Sequence, residues 1–318
     1  MMPFKSRSFR FAAPSLPLAV VFLLACVLGG LAIAPRCVAG EPSQDNHAGK
    51  SNADGKSYVR VKYDDHENPL ALETSIVHLV PDGNDRPGLQ VDLVSAVHIA
   101  EKGYYDELNN RFDHYDVVLY ELVAPEGTVI PKGGLERNRN LLSSMQNAVK
   151  DLLELEYQLS GIDYTKSNFT HADLSPEQFS QSMKDKGESF WTIFMRLMAA
   201  GMVEQANNPG KSSEIDIMLA LFDHDRALKL KRIMAEEFAD LDTVMTAFNG
   251  PDGSTLITER NKAALSVLGK EIAAGKKKIA IFYGGGHMSD MEPRAIAEFH
   301  LKRAGQEWLE AWNLRDKK

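Results

Sequence analysis

Two apolar runs that each end in a small residue and, three positions on, a histidine set the tightest limit on what this chain can fold into. One is Lys277-Lys278-Ile279-Ala280-Ile281-Phe282-Tyr283-Gly284-Gly285-Gly286-His287. It reads as a buried strand that stops in a glycine turn. Glycines let the backbone turn tightly and pass close to a ligand, so the histidine that follows can point into a cleft at the strand's end. The other is Leu89-Gln90-Val91-Asp92-Leu93-Val94-Ser95-Ala96-Val97-His98, again a strand with the same small-x-x-His ending. This repeat is the clearest internal echo in the chain.

The segments around these runs indicate an α/β fold. Tyr58 to Tyr63 and Leu70 to Val80 read as a hairpin across the turn Asp64 to Pro69, and a second turn leads into the His98 strand. Glu101 to Phe112 reads as a helix, followed by the strand Asp116 to Val123. This strand, helix, strand segment has the length of a parallel βαβ unit, which would put His98 and Glu121 at the carboxyl ends of neighbouring strands. Open α/β sheets bind their ligands at that rim. The expected fold class is α/β, a mixed, partly parallel sheet with flanking helices and a large inserted helical region from about 135 to 248. Within that region Leu135 to Leu159 carries an apolar helical face, and Ser175-Pro176-Glu177-Gln178 reads as a helix start. Phe190 to Val203 is apolar nearly all round, either a helix buried between others or a Met-rich lid or peptide-binding surface. Glu214 to Ala247 reads as one or two amphipathic helices, and Ser254 to Ala274 as a helix feeding the His287 strand. Met291 to Arg303 reads as the last helix, and Gln306 to Leu314 as a closing edge strand.

The N-terminus has a separate character. Lys5, Arg7 and Arg10 precede an uncharged apolar run from Ala12 to Pro35, and Val38-Ala39-Gly40 suits cleavage, so residues 1 to 40 read as a secretory signal or an uncleaved anchor. Residues 41 to 57 are polar and read as a tether to a domain spanning 58 to 318. Both cysteines, Cys26 and Cys37, fall in the leader, which excludes disulfides and thiolate chemistry from the remainder. Of 36 basic residues the leader holds four, leaving 32 against 44 acidic ones, an acidic surface that argues against nucleic acid or anionic membrane as partners. Contact with a membrane would come only through the N-terminal segment.

Chemistry is best placed on His98, Glu121 and His287. Two imidazoles and a carboxylate at strand ends suit a divalent metal such as manganese, cobalt or zinc, with Glu121 either a ligand or the general base. Arg260, in Glu259-Arg260-Asn261, would hold a carboxylate or a developing oxyanion, or else lie on a solvated face. His171 and Asp173 would add ligands, or simply serve a loop-to-helix transition. Asp223-His224-Asp225-Arg226 reads as one charged helical turn, and Asn168-Phe169-Thr170 matches a glycosylation sequon. No phosphate-binding glycine loop, Gly-x-Ser-x-Gly elbow or His-Glu-x-x-His is present, which leaves nucleotide use and serine-hydrolase chemistry unsupported.

In order and spacing these pieces resemble the TraB/PrgY/GumN family, related to the TIKI proteases and more distantly to the erythromycin-esterase group. Ser95-Ala96-Val97-His98 stands at the first Gly-x-x-His position, with Ser95 replacing the glycine. Tyr120-Glu121-Leu122 stands at the family glutamate, Glu259-Arg260-Asn261 at the Arg-Asn helix, and Gly284-Gly285-Gly286-His287 at the second Gly-x-x-His. The resemblance implies metal-dependent hydrolysis of a peptide or protein outside the cytoplasm, with Glu121, Arg260 and Asn261 catalytic and His98, Glu121 and His287 on the metal. Sequestering a peptide without cleavage, or metal-free ester hydrolysis, are the alternatives.

Overall fold

A computed structural model describes residues 57–134, 152–189, 191–193, 214–239, 249 and 253–316. The expected leader, all of the tether but Ser57, most of the Leu135 to Leu159 helix and most of Phe190 to Val203 lie outside the described residues. Among the described residues no helix is long and apolar enough to cross a membrane.

The strands are β1 (Val59–Tyr63), β2 (Pro69–Pro81), β3 (Gln90–Ala96), β4 (Ile99–Ala100), β5 (Val117–Tyr120), β6 (Glu156–Tyr157), β7 (Phe169–His171), β8 (Lys278–Gly284) and β9 (Leu301–Asn313). The helices are α1 (Lys102–Phe112), α2 (Gln158–Gly161), α3 (Pro176–Asp185), α4 (Glu214–Leu221), α5 (Arg226–Ala239), α6 (Arg260–Ala273) and α7 (Met288–Phe299). Seven strands form one mixed sheet. It runs β1-β2-β3-β8-β5-β7, with β9 antiparallel along the other edge of β2. β3, β8, β5 and β7 are mutually parallel, and β1 and β2 form the expected antiparallel hairpin. The mixed, partly parallel α/β fold is therefore the one observed.

β8 occupies the middle of the parallel set because it is apolar on both faces. Ile279, Ile281 and Tyr283 enter one core, with Ala264, Leu265 and Leu268 of α6 and Met288, Met291 and Ala295 of α7. Ala280 and Phe282 enter the other, with Tyr104, Tyr105, Leu108 and Phe112 of α1 and Leu230 and Phe238 of α5. A strand covered on both sides belongs at a sheet centre, and its alternation fixes which helix lies above and which below.

Several expectations need correction. His98 and Glu121 do not end neighbouring strands, since β8 lies between β3 and β5 and pairs with both. The middle is not helical throughout: β7 pairs with Val118 to Tyr120 of β5, and β6 pairs with β4. The apolar face running to Leu155 breaks at Glu154, which takes a left-handed φ of 55°. Asp223 to Asp225 form no helical turn but the break between α4 and α5. The last helix stops at Phe299 because His300 adopts φ 48°, and the closing strand begins at Leu301 rather than Gln306. The sequon asparagine is engaged structurally: Asn168 Nδ2 donates to Phe112 O and Tyr115 O, joining β7 to the end of α1. The expected cap at Ser175 is present as a full capping box with Gln178.

β9 closes the core through Trp312, which is fully buried, donates Nε1–H to Ile99 O at 2.8 Å and packs edge-on against Phe238. Trp312→Ala should cost about 3–5 kcal/mol in urea unfolding, from lost burial and the cavity left behind. A loss under about 1 kcal/mol would show that β9 contributes little to closing the core.

Candidate functional site

The four parallel strands deliver their next residues to one rim. The register places Ala96 of β3 beside Gly284 of β8, and Tyr120 of β5 beside both Phe282 of β8 and His171 of β7. One or a few residues further on come His98, Glu121, His287 and Asp173. From above the rim, a five-residue π-helical turn (Thr255–Glu259), capped by Ser254, opens α6 and brings in Arg260 and Asn261 as its first two residues. Such wide turns reposition side chains and often occur at functional sites.

Glu121 is the centre of the cluster, with a side chain only 10 % exposed. Its Oε2 accepts the backbone N–H of Gly284 at 2.7 Å. Its Oε1 lies 2.7 Å from Arg260 Nη2 and 3.5 Å from His287 Nε2. Burial opposes the charge on this carboxylate, but Arg260, then His287 and His98, outweigh it and hold the group well below the usual carboxylate range. Arg260 is itself buried and is gripped by Asp173, with Nε at 3.0 Å from Oδ1 and Nη2 at 2.5 Å from Oδ2. Burial works against its charge as well, yet Asp173 and Glu121 raise its pKa further. Two carboxylates and one guanidinium thus form a buried chain from β7 to β5.

The second arm holds His287. Its Nδ1 meets Asn261 Oδ1 at 2.8 Å. The carboxamide cannot be reversed without loss, because its Nδ2 already donates to His287 O at 3.0 Å and to Asp290 Oδ2 at 2.9 Å. Asp290 is in turn held by Arg294, at 2.7 and 3.0 Å. Oδ1 must therefore be the acceptor and Nδ1 the protonated nitrogen. Nε2 of a neutral His287 then turns a lone pair towards Glu121 Oε1, which is also an acceptor. Two acceptors 3.5 Å apart call for a positive group between them, either a proton or a cation. Two donors on one tetrahedral zinc, at bonds of about 2.0–2.1 Å, stand about 3.3–3.4 Å apart, so the spacing suits a shared cation. A ligating histidine with its second nitrogen donated to a fixed acceptor is the usual arrangement at such sites.

His98 faces the same space. A Cβ built on Gly284 would lie 3.4 Å from Glu121 Oε2, 3.8 Å from His287 Cδ2 and 4.0 Å from His98 Nε2. Gly284 has φ −53°, which any residue adopts, so a side chain here would meet no backbone strain and would only occupy the space beside these three groups. Burial is the main force lowering the His98 pKa; Arg260 and His287 add to it, against opposition from Glu121 and Gln158. Among the described residues no three His, Cys, Asp or Glu side chains are gathered as a finished metal site. What the geometry itself offers is the His287–Glu121 pair, with His98 turned towards it.

The other candidates separate cleanly. Asp173 belongs to the cluster through Arg260. His171 is spent on Leu122 O, 2.5 Å from its Nε2, with its ring against Tyr120. Glu259 pairs with Lys186 and Lys262 beside the cluster. Arg226 begins α5 in a pocket with Asp223 and His224 that none of the rim residues lines. Two participants carried no sequence expectation, Asp290 and Gln158. Asp290 sits three residues past His287 on α7, a spacing that would have revealed it; Gln158 reaches His98 only through the short β4–β6 pairing, for which the sequence holds no signal. Comparison with protein-family models, with curated proteins and with solved structures finds no match to this chain.

The depressed pKa of Glu121 has a definite sign in stability. A carboxylate whose folded pKa lies below its ordinary value of 4.5 stabilises the fold above that pH, and the contribution is lost as pH falls through the folded value. The stability gap between wild type and Glu121→Gln should be constant at neutral pH and shrink only below the ordinary glutamate range. A gap that does not change with acidification would contradict an ionised Glu121.

Proposed function

We propose that this chain is an exported, metal-dependent hydrolase acting on peptides or proteins, with His287, Glu121 and His98 holding a divalent cation. The observation that carries this reading is the facing pair of acceptors, Nε2 of His287 and Oε1 of Glu121, buried 3.5 Å apart with the His287 tautomer set by Asn261. The peptide substrate rests on the resemblance to the TraB/PrgY/GumN and TIKI group, and export rests on the apolar leader.

When bound, a manganese, cobalt or zinc ion would polarise a carbonyl and lower the pKa of water towards about 7. The chain's own residues divide the remaining work. Glu121, held ionised by Arg260, is too weak a base to take a proton efficiently near neutrality, which favours holding a cation over general-base duty. Arg260 has Nε and Nη2 committed to Asp173 and Glu121, so its part is to position Glu121 and keep it charged, in place of the oxyanion role expected from its type. Asn261 orients His287. Gly284 gives its N–H to Glu121 and keeps open the space that a side chain would fill.

A proton on His287 Nε2 would fill the same gap, and it supports a second reading, metal-free ester hydrolysis by an imidazolium–carboxylate pair. Titration of residues 41 to 318 with manganese, cobalt and zinc separates the two, together with turnover of a peptide library in the presence and absence of chelator. One equivalent of ion and chelator-sensitive cleavage are expected. Gly284→Ala has no backbone strain to overcome and only ordinary contacts, so it should stay within about 1 kcal/mol of wild type in stability while binding the ion about tenfold or more weakly. Turnover that survives chelation, with no ion bound, would replace this reading by the metal-free one.

A further inference from the structure

The first strand of the fold begins at the same rim. β9 lines one edge of β2 along nearly its whole length, so β1 and β3 share the other edge. β2 changes partner between Thr74, which faces Val59 of β1, and Ile76, which faces Val94 of β3. The start of β1 therefore takes the place that β3 gives up as it runs on towards His98. The backbone pins this entry, with Ser75 N–H donating to Tyr58 O at 2.9 Å. Successive side chains along a strand point to opposite faces. Accordingly Val59 enters the core that holds α1 and Tyr58 the core that holds α7, both almost fully buried.

These two side chains reach the His287 segment before and after the histidine. Gly285–His287 is a single 3₁₀ turn that runs straight into α7. Val59 fills the space over Gly285: a Cβ built there would lie 2.6 Å from Val59 Cγ2, whereas carbon atoms pack best at about 3.5–4.0 Å. Valine is β-branched and stiff at χ1, so it cannot readily yield. Past the histidine, Tyr58 OH donates to Glu292 Oε2 of α7 at 2.6 Å, and Arg303 Nη2 donates to the same oxygen at 2.9 Å.

We infer that Val59 is a positioning residue for His287. It sets how closely the glycine turn lies on the sheet, Tyr58 ties down the helix beyond, and the imidazole between them is delivered to Asn261 and Glu121. The point where the chain enters the sheet is thereby part of the site's support. This inference deepens the proposed function, on which its meaning for cation binding rests; the packing of Val59 on Gly285 needs no ion.

The test is a double-mutant cycle on positions 59 and 285 in the full chain, read by affinity for zinc alone and by stability. Gly285→Ala needs the space that Val59→Ala vacates. Each single variant should bind zinc about tenfold more weakly, and the double variant should return to within about threefold of wild type, because the new methyl fills the gap that Val59 leaves. A residue that merely holds the fold together would lower stability and leave the affinity of the folded protein unchanged. A single variant that folds with wild-type affinity, or a double variant whose losses multiply, would overturn the inference. Should a single variant not fold, recovery of folding and zinc binding in the double variant supports the inference, and a double variant that stays unfolded or binds no zinc overturns it. Wild type that binds no zinc would sink the proposed function instead. Crystal structures of the same proteins then decide: the 2.8 Å contact of His287 Nδ1 with Asn261 Oδ1 should persist in wild type and the double variant and open in Gly285→Ala, and its persistence in Gly285→Ala would overturn the inference.

Discussion

A single ionised carboxylate in a nearly closed site governs this structure. Glu121 cannot be buried as an anion unless its charge is met, and two elements converge to meet it, the Gly284 N–H from β8 and the Arg260 guanidinium from α6, while the His287 imidazole past the glycine turn faces the same oxygen that Arg260 holds. Arg260 is shared between Glu121 and Asp173, whose side chain is fully buried beyond β7. Removing Arg260 would leave two buried carboxylates without a counter-charge, so the cluster depends most on this one guanidinium. That dependence accounts for why residues so far apart in the chain meet at one rim.

The sheet makes the meeting possible. Parallel strands all present their carboxyl ends on one side, and an apolar β8 buried on both faces forces β3 and β5 to flank it. His98 and Glu121 are thereby set apart on either side of Gly284, with a gap between them that a neighbouring-strand arrangement would have closed. The space that any side chain at position 284 would occupy is the space the three functional side chains share.

Much of this was legible in the amino-acid order. Strong local patterns found the hairpin, α1, β5, β8 and the Ser175 cap, because alternation, helical periodicity and cap chemistry are properties of neighbouring residues. The small-x-x-His endings located both histidines for the same reason. Strand order was not legible: nothing in Val117 to Tyr120 says that β8, more than 150 positions later, will separate it from β3. β7 was missed because three residues carry too little periodicity to register, and its stability comes from Phe169 against Phe112 and Asn168 against the end of α1. Asp173 looked like a loop residue until Arg260 was seen against it. Roles changed more than identities: Arg260 was expected to face a ligand and instead faces the protein's own carboxylates.

The most direct check of the central claim is anomalous diffraction from crystals of residues 41 to 318 soaked in manganese. A cation held by the facing acceptors predicts a peak bonded to both His287 Nε2 and Glu121 Oε1, with His98 Nε2 drawn towards it. No peak at this rim under saturating manganese, with His287 Nε2 closed to hydrogen-bond distance on Oε1, would show that a proton fills the gap and would contradict the account.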